Sequence, residues 1–133
     1  MINYRRYKDG DEKLIIILYK EVFNKDLPIQ FWQWKYSKSK KYIFLAFNKS
    51  RCIGQYALIH FELNAYGKTI PGLLSLDSMI HPDYQGRNIF TELVNYAKTN
   101  TRNLQYPSIT FLNENSISVY TKKFNWKYLG NIP

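Results

Sequence analysis

Residues Ser78 to Leu93 read SMIHPDYQGRNIFTEL, and this stretch decides the fold. The apolar run that leads into this stretch stops before Pro82. Pro cannot donate to a sheet ladder, so we predict a strand that ends there. Beyond Gly86, apolar residues recur at helical spacing from Ile89 onward. A strand therefore leads through a short loop into a helix. The free backbone N–H groups and the positive dipole end at the start of such a helix favour binding of a phosphate group.

The composition indicates one folded domain over residues 1–133 without a membrane span. Hydrophobic residues make up 45% of the chain and aromatic residues 17%, which is enough to form a core. The longest apolar run near the N-terminus, Leu14 to Leu18, is far shorter than the roughly 20 residues that cross a bilayer. Cys52 is the single cysteine, so no internal disulfide can form, and we expect a cytoplasmic protein. We predict no metal site.

The charge balance leaves one alternative function open. The formal net charge is +9, and a basic chain favours anionic partners such as nucleic acid, acidic lipid or a polyphosphate cofactor. Much of the excess lies in residues 35–41 and 122–127, and Trp34, Tyr36 and Tyr42 are interleaved with the first of these segments. A basic nucleic-acid-binding module would use such a segment. No recognised nucleic-acid motif supports that reading, so we do not expect nucleic acid as the partner.

Periodicity and turn residues predict the other elements. Strand patterns cover residues 2–7, 42–47, 52–63, 69–80, 106–112 and 126–132, and helical patterns run from the N-cap Asp11 to Phe23 and over 29–36, 88–101 and 113–124. We expect the buried face of the first helix to carry five apolar residues, Leu14, Ile15, Ile17, Leu18 and Val22. The order is βααβββαβαβ. An antiparallel front half followed by a βαβ-like back half predicts an α+β fold, with an α/β mixed sheet and helices on both sides.

Two motifs carry a family resemblance. Residues 80–90 read IHPDYQGRNIF. This segment is similar to the pyrophosphate signature of the GNAT N-acetyltransferases, which is a Gln or Arg, two residues, a Gly, one residue, then Gly or Ala. Residues 113–126, NENSISVYTKKFNW, are similar to a late helix of that family. Segments 31–36 and 53–56 also resemble a bacterial branch of it, so the resemblance covers nearly the whole chain and implies the GNAT fold.

The resemblance implies an enzyme that moves the acetyl group of acetyl-CoA to an amine acceptor, which is a small molecule or a peptide. Backbone groups of Met79 and Ile80 would pair with the pantetheine arm of the cofactor. The pyrophosphate would be held by six loop residues, Gln85, Gly86, Arg87, Asn88, Ile89 and Phe90. The late helix would contribute Asn113 and Asn115 to cofactor binding.

The resemblance also implies catalytic roles. Tyr120 in the late helix would protonate the leaving thiolate, and the backbone N–H of Ile80 would donate to the developing oxyanion. The acceptor amine must lose a proton before it attacks, so a base or a chain of waters is required. Our candidates for the base are Asp77, His81 and Glu62.

The sequence departs from the family pattern in the phosphate loop. Asn88 stands where the signature has Gly, and Asn tolerates left-handed backbone geometry. Phe90 stands where the signature has Gly or Ala. Its ring either turns into the core, leaving only its backbone N–H for a phosphate, or points outward and blocks the pocket. We expect the first, because Phe90, Leu93 and Val94 share a helical stripe.

The late helix departs in register. Counting back from Trp126 places Thr121 at the position of the family's Tyr, whereas counting forward from Asn113 places Tyr120 there. We choose Tyr120 as the acid. Asn125 replaces the Gly that usually ends this helix, and Asn is the next most suitable residue at a C-cap.

The last departure is in length. Family members commonly finish with a long hairpin, and this sequence stops at Pro133, so we expect the last strand to be short or missing and the chain to be truncated at the C-terminus. An uncovered strand edge favours association, which predicts a homodimer. A shortened relative can also be a catalytically weak or inactive acetyl-CoA-binding subunit, and that alternative stays open.

Overall fold

The computed structural model describes residues 1–102, 106–110 and 114–130, and for residues 114–116 it describes the backbone alone. The strands are β1 (Ile2–Arg6), β2 (Ile43–Asn48), β3 (Arg51–Ala65), β4 (Lys68–Ile80) and β5 (Ser108–Thr110). The helices are α1 (Glu12–Phe23), α2 (Ile29–Tyr36), α3 (Ile89–Thr101) and α4 (Glu114–Lys123), with 3-10 turns at Lys40–Tyr42 and Pro82–Tyr84.

The five strands form one mixed sheet in the order β1-β2-β3-β4-β5. The first four strands are antiparallel neighbours, and β5 runs parallel to β4. Among the described residues, β4 pairs with β5 from Leu73 opposite Ser108 to Ser75 opposite Thr110. β4 continues to Ile80, and no strand in residues 1–102, 106–110 and 114–130 pairs with the β5 side of its last residues; we call this part the open edge of β4.

The hairpin between β3 and β4 follows from its turn residues. Tyr66 and Gly67 both have positive φ, at 53° and 77°. Two central residues with positive φ are typical of a type I′ turn, whose twist matches that of the flanking strands. This turn sets the register in which Ala65 lies opposite Lys68 and His60 opposite Leu73.

Apolar residues cover both faces of the sheet, as expected for a layered α/β arrangement. On one face α1 and α2 pack against β2, β3 and β4, and the buried residues there include Ile15, Leu18, Trp32, Tyr36, Leu45, Ala57 and Met79. On the other face α3 and α4 pack against the same strands, and the buried residues include Phe44, Ile53, Tyr56, Leu93, Val94, Tyr120 and Phe124.

The predicted mixed sheet with helices on both sides is confirmed, and the predicted element order holds through α4. The predicted strand over residues 126–132 is not present in its described part, since residues 126–130 form no strand. Within the part of the chain that the structure describes, no helix is long and apolar enough to cross a membrane.

The first helix differs from its predicted pattern in two details. Ile17 is exposed, whereas Ile15 and Leu18 are fully buried, so the buried face is rotated away from Ile17. Asp11 stands before α1, but its carboxylate makes no cap hydrogen bond. It accepts instead from the Lys8 backbone N–H at 2.7 Å and from both terminal nitrogens of Arg5. A bidentate guanidinium partner satisfies a carboxylate better than a single N–H does.

Candidate active site

The open edge of β4 presents backbone groups that no described strand pairs. The His81 N–H donates to the Ile53 carbonyl on β3 at 2.8 Å. Backbone groups alternate in direction along a strand, so the N–H and C=O of Ile80 point away from β3. The Ile80 carbonyl accepts from Gln85 Nε2 at 3.1 Å, which ties the loop after β4 to the strand edge.

The predicted phosphate loop is a left-handed turn followed directly by a helix. Gly86 has φ of 77°, and Asn88 has φ of 64° and ψ of 13°, so Asn88 adopts the geometry that its signature position requires. Asn88 precedes α3 and makes no side-chain cap, which leaves the first N–H groups of the helix free of that partner. The loop lines a cavity of about 340 Å³ whose walls are Ile80, Tyr84, Gln85, Gly86, Asn88, Ile89, Phe90, Thr91 and Lys123.

The ring of Phe90 turns into the core behind the helix. Its centroid lies 6.2 Å from that of Tyr56, 6.1 Å from that of Tyr120 and 6.1 Å from that of Phe124. These separations are typical of aromatic packing. The large side chain at this position therefore packs against the sheet and α4.

Arg87 is exposed, and its guanidinium lies over the Tyr84 ring with its central carbon 5.2 Å from the ring centroid. The Tyr84 hydroxyl accepts from Asn48 Nδ2 at 2.7 Å, which fixes the ring at the base of the loop. Stacking on a fixed ring keeps the Arg87 charge close to the cavity mouth.

A bulge in β4 interrupts the regular alternation of its side chains. Leu76 lies opposite Ala57 and Met79 opposite Gln55, so two residues of β4, Asp77 and Ser78, face a single residue of β3. A bulge of this kind adds an unpaired residue and redirects side chains. Asp77 has φ of 55°, a left-handed conformation that is uncommon for a residue other than Gly.

The bulge also directs two serines toward Tyr120. Ser75 and Ser78 are three residues apart and would lie on opposite faces of a regular strand, yet both stand close enough to the Tyr120 hydroxyl to lower its pKa. Burial has the larger influence, and it raises the pKa of Tyr120 above its ordinary value. The Ser75 and Ser78 hydroxyls are buried and make no hydrogen bond of normal geometry with a described residue.

The register of α4 places Tyr120, and not Thr121, toward β4. Tyr120 is 3% exposed, and its ring packs edge to face against Phe124 and Trp126. The Thr121 hydroxyl donates to the Ile117 carbonyl at 2.9 Å within the helix itself. Asn125 adopts the left-handed conformation, φ 58°, that ends the helix.

On the opposite face of β4, the Asp77 carboxylate meets two side chains of α2. Its Oδ2 accepts from Lys35 Nζ at 2.6 Å and from the Tyr36 hydroxyl at 2.5 Å. Tyr36 is 1% exposed, and burial together with the nearby Asp77 charge raises the pKa of its hydroxyl. The bulge carbonyl of Asp77 accepts from Gln55 Nε2 at 2.9 Å. We call Lys35, Tyr36 and Asp77 the Asp77 cluster.

His81 is engaged at both ring nitrogens. Nδ1 accepts from the Asp83 backbone N–H at 3.1 Å, and Nε2 lies 2.7 Å from Glu21 Oε2 on α1. Arg51 Nη2 also donates to this carboxylate at 2.7 Å. Burial acts to raise the pKa of Glu21, but the hydrogen bonds from Arg51 and His81 outweigh it and lower that pKa. The structure thus places His81 in a contact between α1 and the end of β4, apart from the Asp77 cluster.

The remaining sequence candidates divide as follows. Met79 is buried beside α1 and α2, and Glu62 is exposed on the distal part of β3, opposite Pro71. Asn113 lies outside the described residues, and Asn115 belongs to α4 with its side chain outside the description. Burial raises the pKa of the Cys52 thiol to about 12, which suits a core residue and not a nucleophile.

Sequence reasoning missed several residues of the site. The sequence placed Lys35 in the basic segment of residues 35–41 and gave no sign that it contacts a carboxylate 42 positions away. Ser75 and Ser78 carried no signal, because only the bulge brings them to one face. Lys123 was also missed; a basic residue in the last turn of α4 was the available clue. Among the described residues, no group of three or more His, Cys, Asp or Glu is arranged to hold a metal ion.

Structural comparison finds the same fold in proteins of remote sequence. An acetyltransferase of Trypanosoma brucei has a TM-score of 0.76 at 15% identity, covering 100% of this chain and 97% of that one. A predicted acetyltransferase of Clostridium acetobutylicum, solved with acetyl-CoA, has a TM-score of 0.77 at 16% identity, and the match covers 100% of this chain and 94% of that one. Glucosamine-6-phosphate N-acetyltransferase of Arabidopsis thaliana has a TM-score of 0.74 at 8% identity, and the match covers 100% of this chain and 96% of that one. At these identities the likeness shows the fold alone.

The mixed sheet with its open β4 edge and following loop defines a protein of the GNAT acyltransferase class. A search of curated protein sequences gives no match. The family model for the acetyltransferase (GNAT) domain matches residues 3–129. The chain therefore belongs to the GNAT acetyltransferase family.

Proposed function

We propose that this protein is an acetyl-CoA-dependent N-acetyltransferase that transfers the acetyl group directly to an amine. The observation that carries the proposal is the loop of residues 85–90, which lines a cavity of about 340 Å³ at the open edge of β4. The solved neighbour from Clostridium acetobutylicum, which contains acetyl-CoA, supports the same cofactor. Acetyl-CoA is the acetyl-donating substrate in this proposal.

The residues of the loop fit a pyrophosphate. A phosphate needs several converging donors more than it needs one particular side chain, and the loop and the start of α3 present backbone N–H groups. Gln85, Gly86, Asn88 and Ile89 line the cavity, and Lys123 adds a positive charge on its α4 side. Because the Phe90 ring packs in the core, only the backbone of that residue is needed at the phosphates.

The edge of β4 fits the pantetheine arm. Beyond Ser75 the outward backbone groups of β4 lie past the last described pair with β5. An extended amide chain can pair with such groups as a strand would. We assign this role to the backbone of Ile80, whose carbonyl Gln85 holds when no cofactor is bound. The predicted contribution of Met79 is not kept, because alternation along β4 directs its backbone groups toward β3.

The two faces of the β4 bulge divide the proton transfers. Asp77, on the face of α2, accepts the proton of the acceptor amine, and the neutral amine attacks the thioester carbon. The Ile80 N–H donates to the carbonyl oxygen as negative charge develops there. Tyr120, on the face of α4, has a raised pKa, is protonated at neutral pH and gives its proton to the leaving thiolate. The nitrogen loses its remaining extra proton to solvent as the amide forms, and Tyr120 regains a proton from solvent.

We assign His81 a positioning role and not the role of the base. Both of its ring nitrogens already have partners, and its side chain is nearly buried beside Glu21. We propose that His81 holds the end of β4 against α1 and so positions Ile80. The acceptor itself is proposed only as a primary amine, on a small molecule or a peptide.

The test combines binding with turnover. Calorimetry should give a saturable acetyl-CoA isotherm, and a free-thiol assay across a panel of amines should give turnover. The Tyr120→Phe variant should keep acetyl-CoA binding and lose about 100-fold in turnover, which is typical of removing a general acid. The matched control is Tyr42→Phe, another buried tyrosine of the same core cluster, whose hydroxyl has no part in the proposed chemistry.

The outcomes separate the alternatives. Absence of any acetyl-CoA isotherm would remove the cofactor from the proposal. Binding without turnover for any amine would identify a cofactor-binding relative without activity. Equal turnover in the Tyr120→Phe and Tyr42→Phe variants would remove Tyr120 from the chemistry.

Association is a separate part of the proposal. β5 is the last strand in the sheet order, with three described residues, and no described strand covers its outer edge. We propose that a second copy of the chain pairs with this edge. Light scattering on the purified protein should then give the mass of a dimer, and a monomer mass at all concentrations would contradict it.

A further inference from the structure

Lys35 holds its amine in a small site shaped for an ammonium group. Nζ lies 2.6 Å from Asp77 Oδ2, 5.8 Å from the centroid of the Phe31 ring and 5.7 Å from that of the Tyr36 ring. A carboxylate with aromatic rings at this range attracts a cation by charge and by the ring quadrupoles. The Lys35 and Asp77 side chains are only 22% and 24% exposed, so solvent screens the pair weakly compared with a surface pair.

The position of this amine coincides with the position that the proposed function requires for the acceptor. Asp77 is the proposed base, and Lys35 Nζ is the amine that touches it. Lysine carries a primary amine on a flexible four-carbon stem, which lets Nζ move while α2 stays in place. The Asp77 backbone lies on the bulge of β4, beside the open edge to which acetyl-CoA binding is assigned.

We propose that Lys35 is an internal acetyl acceptor, so that the protein acetylates its own Lys35 when no other amine occupies the Asp77 site. The inference rests on the proposed function. Nζ, an ammonium in its ion pair with Asp77, passes one proton to Asp77 Oδ2, and the neutral amine attacks the thioester carbon of acetyl-CoA. A C–N bond forms, the C–S bond breaks, and the leaving thiolate takes the Tyr120 proton. The second proton leaves the nitrogen for solvent as the amide forms, and Tyr120 regains a proton from solvent. The products are N-acetyl-Lys35 and free CoA.

The modification changes the charge of the site. An acetylated Nζ carries no positive charge, so Asp77 loses its ion pair and keeps the hydrogen bond from Tyr36. The acetylated side chain also fills the space in which an external amine would contact Asp77. We therefore expect the acetylated protein to turn over external amines more slowly than the unmodified protein.

The experiment follows the intact mass of the purified chain. The protein is incubated with acetyl-CoA alone, and the sites of modification are mapped by peptide mass spectrometry. The expected result is one acetyl group per chain, located at Lys35, at a rate that does not depend on protein concentration. Lys38 is the matched control, because it is an exposed lysine just beyond α2 and reports direct chemical acetylation.

The Asp77→Asn variant tests the role of the carboxylate. Asn tolerates the left-handed backbone that residue 77 adopts, so this variant should fold. Without the base, acetylation of Lys35 should slow by about 100-fold, while that of Lys38 stays unchanged. A melting-temperature shift with acetyl-CoA shows that the variant is folded and still binds.

Different failures have different signatures. No acetyl-CoA binding by the unmodified protein would refute the proposed function and this inference with it. Binding and turnover of an external amine, with Lys35 unmodified, would refute the inference alone. Equal acetylation of Lys35 and Lys38 that Asp77→Asn leaves unchanged would also refute it, because that pattern is chemical acetylation.

Discussion

The loop of residues 85–90 follows β4 and the Asp77 cluster forms around the bulge of β4, but the two regions are built from different chemical groups. The loop presents backbone groups in left-handed and extended conformations, and most of its side chains are exposed. The cluster joins a carboxylate, an ammonium and a phenol from two elements that are far apart in sequence. Its phenol is buried, and its two charged groups are partly buried.

The two regions therefore depend on different properties of the sequence. The loop requires certain backbone dihedrals, so Asn88 can stand where the family signature has Gly. Phe90 is accommodated there because its ring packs elsewhere. The cluster requires the identity of each side chain, because each partner supplies a specific proton or charge. A change of side chain should thus affect the cluster more than the loop, and a change of backbone freedom should do the reverse.

The largest expected effect on stability is at Tyr36. In Tyr36→Phe the Asp77 carboxylate loses a buried donor, and hydrogen bonds to charged groups contribute about 1.5–3 kcal/mol. We expect the free energy of unfolding to fall by about 2 kcal/mol, measured by urea denaturation at pH 7.

The control for Tyr36→Phe is Tyr120→Phe. Tyr120 is similarly buried, but its hydroxyl faces the neutral hydroxyls of Ser75 and Ser78 and not a carboxylate, so its loss should cost less stability. Equal losses in the two variants would show that the charged partner of the Tyr36 hydroxyl adds nothing to stability.

The second effect concerns the backbone of the loop. Gly86 and Gly67 both have φ of 77°, and an added Cβ meets nothing within 4 Å at either position. Replacing either by Ala should cost a similar stability, about 1 kcal/mol, because Ala is strained at positive φ. Only Gly86→Ala should lower the affinity for acetyl-CoA, by about tenfold, since only that turn lines the cavity.

Calorimetry on the two glycine variants at the same temperature measures this difference. An equal loss of affinity in both would mean that the effect is one of global stability. No loss in either would mean that the loop conformation is not part of the cofactor site.

The contrast also explains which features the sequence could predict. The strand, turn and helix around Gly86 depend on neighbouring residues, so the spacing of apolar residues together with Pro82 and Gly86 was enough to place them. The mixed sheet followed from the order of such local elements. The left-handed conformations of Asn88 and Asn125 were also predictable, because Asn adopts that conformation more readily than most residues other than Gly.

The rest required long-range packing. The Asp77 cluster joins residues 41 and 42 positions apart, and no local pattern encodes that pairing. The bulge that turns Ser75 and Ser78 to one face is a property of how β3 and β4 align. The exposure of Ile17 has a similar origin, since the position of the sheet, and not the helical period alone, selects the face of α1 that is buried.

The smallest expected effect tests the core on the face that also carries the Asp77 cluster. Cys52 is buried there, and burial raises its pKa to about 12 from an ordinary value of 9.0. As the pH rises, the thiol of the unfolded chain therefore loses its proton before the thiol of the folded chain does. The stability that the neutral thiol contributes to folding is complete below pH 9 and is lost between pH 9 and pH 12. Between pH 9 and pH 10 this loss should be about 1 kcal/mol.

In Cys52→Ala the fall in the free energy of unfolding over that interval should be smaller by this amount, whatever the absolute stability of the variant. Urea denaturation at the two pH values measures the difference. Parallel pH profiles for the two proteins would show that the thiol is not kept neutral by the fold, and that this face of the sheet is more accessible to water than its packing indicates.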